Sequence, residues 1–286
     1  MPRRFRLEVN GVGLAVTDHA PGRGDRPALV LAHATGFCGG VWEPLVPALA
    51  DRFRVITFDQ RGHGESDKPD TAYAWTDFAA DLAGVLDAIG SATAFAAGHS
   101  MGGAAVAGAA ARFPGRLGRI ALIDPVLIPP ASLGVERDSS NRLAAGARRR
   151  REDWESREAF LASLGSRPPF SYWREDLLAA YAEHGLAAGT DGRARLKCPG
   201  EIEARVYEAA ARSSSLAFLP EIEIPTLIVS GEASDVLPAT LALHARDLMR
   251  DAQLVMLPGV GHFVPMQAPE RTVELLRGFL APGPVA

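Results

Sequence analysis

The chain has 286 residues, of which 47% are hydrophobic and 22% charged, with 30 Lys and Arg against 34 Asp and Glu for a formal net charge of −4. That length suits one large α/β domain or a core carrying an insertion, and the near balance of charge gives no pull toward nucleic acid or an anionic membrane surface. The two cysteines, Cys38 and Cys198, lie too far apart in the chain to form a ligand motif, so free thiols in a reducing, cytoplasmic compartment are expected.

The amino terminus carries Arg3 and Arg4 but no apolar run behind them, so no signal peptide is expected. Phe5 to Val9 alternates apolar and polar residues, Asn10-Gly11 is the preferred pair for a two-residue turn, and Val12 to Val16 returns as the second arm of a hairpin. Ala28-Leu29-Val30-Leu31-Ala32 is continuously apolar, as a strand covered on both faces must be. Val55–Phe58 predicts a second buried strand. Phe78, Leu82, Val85, Leu86 and Ile89 follow at helical spacing, with Thr76 or Asp77 positioned to cap. Ala94–Ala97 predicts a third strand, Ala104–Phe113 a helix stopped by Pro114-Gly115, and Ile120–Ile123 a fourth strand. The twenty uncharged residues from Ala92 to Ala111 read as strand and helix, since Ala and Gly dominate and His99 and Ser100 stand in the middle.

From about Val126 to Pro220 the alternation stops. The stretch opens on Pro129-Pro130, holds charged helical segments and no convincing buried strand, and is too long for a loop. A helical cap over 126–220 is expected, inserted into a core made of 1–125 and 221–286. Inside it Arg148 to Arg151 is followed at once by Glu152, Asp153, Glu155 and Glu158, which reads as a solvated helix face with i,i+4 ion pairs. The alternation resumes with strands at Thr226–Val229 and Leu254–Leu257, a helix over Ala239–Met249 between them, and a last helix marked by Val273, Leu276 and Leu280. Buried strands alternating with helices predict a mostly parallel, doubly wound α/β sheet.

The strongest chemical signal is Gly98-His99-Ser100-Met101-Gly102, a G-x-S-x-G between a predicted strand and a predicted helix. The glycines let the turn be sharp enough to lift a serine hydroxyl above the sheet edge, and the helix behind it aims N–H groups at a developing oxyanion. Serine needs a base, and His262, in Pro258-Gly259-Val260-Gly261-His262 just past the last strand, fits best of the seven histidines. The carboxylate that orients it is expected to be Asp235, which follows the strand 226–229. Glu232 is a weaker rival, and Asp124, at the end of the strand 120–123, a serious one.

These residues in the order Ser…Asp…His resemble the α/β-hydrolase superfamily over nearly the whole chain. Asp59-Gln60-Arg61-Gly62-His63-Gly64-Glu65-Ser66 resembles a structural loop of that family beside the site, which implies that His63 is neither base nor ligand. His33-Ala34-Thr35-Gly36-Phe37 resembles its His-Gly oxyanion segment but places Ala34 and Thr35 between the histidine and the glycine. Aligned on Gly36-Phe37, the resemblance implies an oxyanion hole from the N–H groups of Phe37 and Met101. Thr35 either offers its hydroxyl to the site or stabilises the turn.

A serine at the elbow argues against the family's epoxide hydrolases and haloalkane dehalogenases, which use aspartate there. Carboxylesterases, lactonases and C–C bond hydrolases share the serine, and the expectation is a small-molecule ester substrate, with a lactone or C–C bond as the alternative. A non-catalytic small-molecule receptor is the further alternative, one that would not require an intact Ser-Asp-His set. Candidate pocket residues are Thr35, Phe170, Trp173 and Val236, with Phe37, Met101 and Tyr172 beside them. No metal-ligand spacing, P-loop or dinucleotide glycine motif occurs, so neither metal nor cofactor is expected, and no membrane-binding stripe is apparent.

Overall fold

The computed structural model describes residues 1–91, 94–129, 138–189 and 192–280, with 138–141 described by backbone alone. Pro130 at the expected start of the cap, Ala92 of the uncharged stretch and the last six residues lie outside them.

The continuous apolar runs follow from a sheet buried on both sides. Leu29, Leu31, Phe95, Ala97, Ile123 and Val229 face one layer. Val30, Ala32, Ala96, Ile120, Leu122 and Ile228 face the other. The sheet holds β1 (Arg3–Val9), β2 (Val12–Asp18), β3 (Ala28–Ala32), β4 (Arg54–Phe58), β5 (Ala94–His99), β6 (Arg119–Ile123), β10 (Thr226–Gly231) and β11 (Ala252–Leu257), in the order β1-β2-β4-β3-β5-β6-β10-β11. β1 and β2 form the expected hairpin, with Asn10 and Gly11 both at positive φ. β2 runs antiparallel to β4, and every pair from β4 to β11 is parallel. β11 is an edge strand and half exposed, unlike the buried strand expected there.

Helices α1 (Trp75–Ile89), α2 (Met101–Arg112) and α7 (Ala239–Asp247) cover the second face. A 3-10 segment (Gly39–Ala48), α8 (Val264–Gln267) and α9 (Pro269–Leu280) lie on the first. α1 starts after Ala74 without a side-chain cap, so neither Thr76 nor Asp77 has the capping role expected of it; both lie inside the helix.

Between β6 and β10 the chain builds α3 (Asp138–Arg148), α4 (Arg157–Gly165), α5 (Glu175–Gly185) and α6 (Gly200–Ala211). It also builds what the sequence did not suggest, a small antiparallel sheet of β7 (Asp153–Trp154), β9 (Ala194–Leu196) and β8 (Leu186–Ala188). These strands of two or three residues are too short to leave a period in the sequence. The arginine run also differs from expectation. Only Arg151 pairs i,i+4, with Glu155, whereas Arg148 crosses to Glu201 and Glu208 and Arg150 to Glu203, all on α6. The insertion is not a separate globule. Trp154, Phe160, Leu177, Tyr181 and Leu186 belong to the same apolar cluster as Val41, Trp42 and Leu45 of the 3-10 segment and Leu29 and Leu31 of β3.

Candidate active site

Parallel strands deliver their ends to one edge of the sheet, and the candidate chemistry gathers there. His99 of β5 pairs with Ile123 of β6, so the next residues, Ser100 and Asp124, leave the sheet side by side.

Ser100 has φ 58° and ψ −120°, a strained conformation that the two flanking glycines make room for. A Cβ on Gly98 would stand 2.2 Å from Gly102 O, and one on Gly102 would stand 2.3 Å from Ala32 O. The turn aims the serine side chain across the edge, where Ser100 Oγ lies 3.0 Å from His262 Nε2. His262 Nδ1 in turn donates to Asp124 Oδ1 over 2.8 Å. Asp124 is fully buried and accepts two further hydrogen bonds: Ser234 Oγ donates to Oδ1 at 2.6 Å and Gly231 N–H to Oδ2 at 2.9 Å. This pattern leaves His262 Nε2 free to accept the Ser100 proton.

Asp235, expected to orient His262, does not. It is exposed on the cleft wall, and the neighbour before it turns inward instead. The Ser234 hydroxyl accepts from the N–H groups of Val236 and Leu237 at 3.2 and 3.1 Å, a local turn that points residue 234 at Asp124 and residue 235 at solvent. Glu232 is exposed as well, its carboxylate on Gly259 N–H.

The expected oxyanion donor Phe37 is likewise replaced. Its N–H closes a turn onto Ala34 O at 3.3 Å, with Gly36 at φ 81°, as a type II turn requires. Ala34 O also accepts His33 Nδ1–H at 2.8 Å, while His33 Nε2 accepts Gln60 N–H at 3.0 Å. With Ala34 C=O held on that side, the planar trans peptide directs Thr35 N–H the opposite way. Thr35 and Ser100 both line the cleft, and neither Thr35 N–H nor Met101 N–H has a partner among the described residues. Thr35 N–H and Met101 N–H are thus the backbone donors left without a partner at this edge of the sheet, where Phe37 N–H is already engaged.

Behind the site stands His99, buried, with Nε2–H donated to His262 O at 2.9 Å and its ring 4.9 Å from that of His262. Burial holds it neutral, far below the usual histidine pKa. His33 and His63 are buried neutral too, pushed down by desolvation to about 4 and about 3. His63 donates to Arg61 O and touches the His33 ring, away from Ser100. Burial raises the thiol pKa of both Cys38 and Cys198, so neither is a nucleophile near neutral pH.

The cleft over Ser100 has a volume of 1280 Å³. Thr35, Phe170 and Val236 line it, as expected, and Tyr172 sits at its exposed rim. Trp173 does not line it. It is buried one layer back against Phe37, Phe170 and Phe263, because the 3-10 turn 170–172 ends there and sends Trp173 into the core. The charged part of the wall, Arg142, Arg150 and Glu203, leaves no local pattern in the sequence, since distant segments bring these residues together, Arg150 and Glu203 as an ion pair. Among the described residues no three His, Cys, Asp or Glu side chains gather as a metal site, and no helix is long and apolar enough to cross a membrane.

Residues 29–275 match the α/β hydrolase family. The chain is 31% identical over 277 residues to the 2-(acetamidomethylene)succinate hydrolase of Mesorhizobium japonicum, covering 96% of this chain and 94% of that one. It is 26% identical over 275 residues to 3-oxoadipate enol-lactonase 1 of Acinetobacter baylyi, covering 95% of each. A crystal structure of an E-2-(acetamidomethylene)succinate hydrolase superposes with a TM-score of 0.86 at 29% identity, over 98% of this chain and 99% of that one.

Proposed function

The chain belongs to the α/β hydrolase family, and on that premise we propose that it is a serine hydrolase that cleaves a carboxylic ester through an acyl-enzyme. The observation that carries the reading is the unbroken line from Ser100 Oγ through His262 to Asp124, at 3.0 and 2.8 Å. Ser100 attacks the ester carbonyl as its proton passes to His262 Nε2, and Asp124 stabilises the imidazolium that results. Thr35 N–H and Met101 N–H hold the oxyanion, aided by the positive end of α2. His262 then gives the proton to the departing alkoxide, and a water activated by the same nitrogen releases the acid and restores the serine. No metal or cofactor is needed for these steps. A receptor that binds without turnover would have no use for the Ser100–His262 bond.

An acyl-chain series of p-nitrophenyl esters, run on the wild type and Ser100→Ala, tests this reading. Loss of kcat by several powers of ten in the variant, with an unchanged thermal midpoint, is expected. Equal turnover by both proteins would refute it.

A more specific reading is that the substrate is a small acid whose scissile bond is an ester or lactone. Arg142 favours it, an exposed cation on the cleft wall with no acidic partner among the described residues. The two relatives named above, a substituted-succinate hydrolase and an oxoadipate enol-lactonase, point the same way. Preference for mono-p-nitrophenyl succinate over p-nitrophenyl butyrate, lost in Arg142→Gln, supports it. Turnover confined to cyclic or β-diketone panels would shift the bond to a lactone or a C–C bond. We assign the enzyme to the cytoplasm, where the buried thiols of Cys38 and Cys198 stay reduced.

A further inference from the structure

The turn that carries Thr35 is held from two sides. From the core, His33 Nδ1–H fixes Ala34 O. From the insertion, Tyr181 Oη of α5 donates to Gly36 O at 3.2 Å. Tyr181 is itself gripped by Arg150 Nη2, whose other terminal nitrogen, Nη1, lies 2.7 Å from Glu203 Oε2 on α6. Tyr207 Oη donates to Glu203 Oε1 at 3.3 Å. The Glu203 carboxylate lies flat against the turn, so that a Cβ on Gly36 would stand 2.9 Å from Oε1.

Four side chains from three segments of the insertion thus form one network, and two of them, Tyr181 and Glu203, reach the turn at Gly36. Tyr181 is fully buried, and Glu203 nearly so. Burial works against the charge of Arg150, but Tyr181 and Glu203 outweigh it and hold the guanidinium pKa above its ordinary value. A partly buried ion pair of this kind contributes little net stability, so its use is to be sought in what it orients.

We propose that Tyr181, Arg150 and Glu203 are positioning residues that set the Thr35–Gly36 turn, and through it aim Thr35 N–H at the oxyanion; the inference rests on the serine-hydrolase reading above. Gly36 C=O and Phe37 N–H belong to the same peptide. Tyr181 fixes its oxygen and Ala34 O its hydrogen, so the peptide cannot rotate about its flanking bonds. Removing the Tyr181 hydroxyl frees one end of the turn while leaving the aromatic packing against Phe37 and Phe160 in place. The binding energy of the insertion is in this way coupled to the oxyanion donor and not only to the shape of the cleft.

The test compares wild type, Tyr181→Phe and Glu203→Gln by kcat and KM on p-nitrophenyl butyrate and by the affinity for phenylboronic acid. The boronate forms a tetrahedral adduct on Ser100 whose oxygen occupies the oxyanion position. For Tyr181→Phe, kcat is expected to fall about tenfold with KM nearly constant, and the boronate Ki to rise by the same factor. Glu203→Gln, which keeps the shape against Gly36, is expected to show a smaller parallel loss. The thermal midpoint of each variant separates these changes from loss of fold. Unchanged kcat and Ki in a folded Tyr181→Phe overturns the proposal, and so does a rise in KM alone, which would make Tyr181 a substrate contact. Boronate affinity requires no ester turnover, so it reads the turn whatever bond the enzyme cleaves. Failure of the serine-hydrolase reading shows separately, as wild-type boronate affinity in Ser100→Ala.

Discussion

Ser234 Oγ donates to Asp124 Oδ1 over 2.6 Å, and that bond ties the loop after β10 to the carboxylate after β6. The loop that supplies an acid in the sequence reading supplies instead the group that holds one. Asp124 receives His262, Ser234 and Gly231 together, so its orientation is set before any substrate arrives.

Asp124→Asn and Asp235→Asn discriminate the two carboxylates directly. An amide at 124 offers His262 Nδ1 no reliable acceptor and favours the wrong tautomer, so kcat should fall by about 10³–10⁴. Asp235→Asn should stay within about threefold of wild type, since an exposed residue with no partner among the described residues contributes little. Steady-state rates on one ester substrate decide the matter, and the reverse ranking would restore Asp235.

Ser234→Ala removes one of the three donors on Asp124 and the acceptor for two backbone N–H groups. A fall in kcat of about tenfold is expected, with a stability loss of about 1–3 kcal/mol from the unsatisfied groups. Urea unfolding and initial rates measure the two effects separately, and Ser234→Thr should recover part of both.

Gly102→Ala is expected to abolish activity by a different route. Its Cβ would meet Ala32 O at 2.3 Å, a backbone atom that cannot step aside without moving β3 away from β5. Soluble expression should drop, and any folded fraction should lack reaction with a fluorophosphonate probe. Full labelling would show that the elbow tolerates the methyl.

Acid should destabilise the fold earlier than carboxylate titration alone requires. His33, His63 and His99 are buried neutral, with pKa values depressed by desolvation, to about 4 for His33 and about 3 for His63. Below the unfolded value near 6.5 the unfolded chain binds protons that the native state refuses, so stability falls as pH drops and levels off only below the native values. Each contributes a slope of about 1.4 kcal/mol per pH unit once the unfolded side chain is protonated. Denaturant midpoints between pH 7 and pH 5 check this, and a flat profile would contradict it.

The core of the sheet was readable because buried parallel strands are apolar without a break: β3 was expected at the residues where it lies, and β5, β6 and β10 within two residues of their observed ends. Ser100 and His262 were readable for a similar reason, each being tied to a strand end by local residues. Asp124 and Asp235 were not separable, because both follow strands that end on the same edge. The difference is a matter of one residue's direction in the turn 231–237, set by hydrogen bonds to Ser234. The register would have favoured Asp124, since adjacent strands β5 and β6 place it beside Ser100. The network of Arg150, Glu203 and Tyr181 is made by hydrogen bonds between residues 31 and 53 positions apart, and spacing of that kind carries no period to detect.

The apolar cluster shared by α5, the small sheet and the 3-10 segment 39–48 bears on how such an enzyme acquires a new substrate. A lid joined to its base by a few polar contacts is an exchangeable part. Here Trp42 and Tyr181 lie in one continuous interior, so the insertion and the sheet should melt in a single cooperative step. Transplanting an insertion from a cousin would strip that interior unless residues 39–48 travelled with it. New specificity is then reached more readily by point changes on the cleft wall, at positions such as Arg142 and Val236, than by recombination of whole segments.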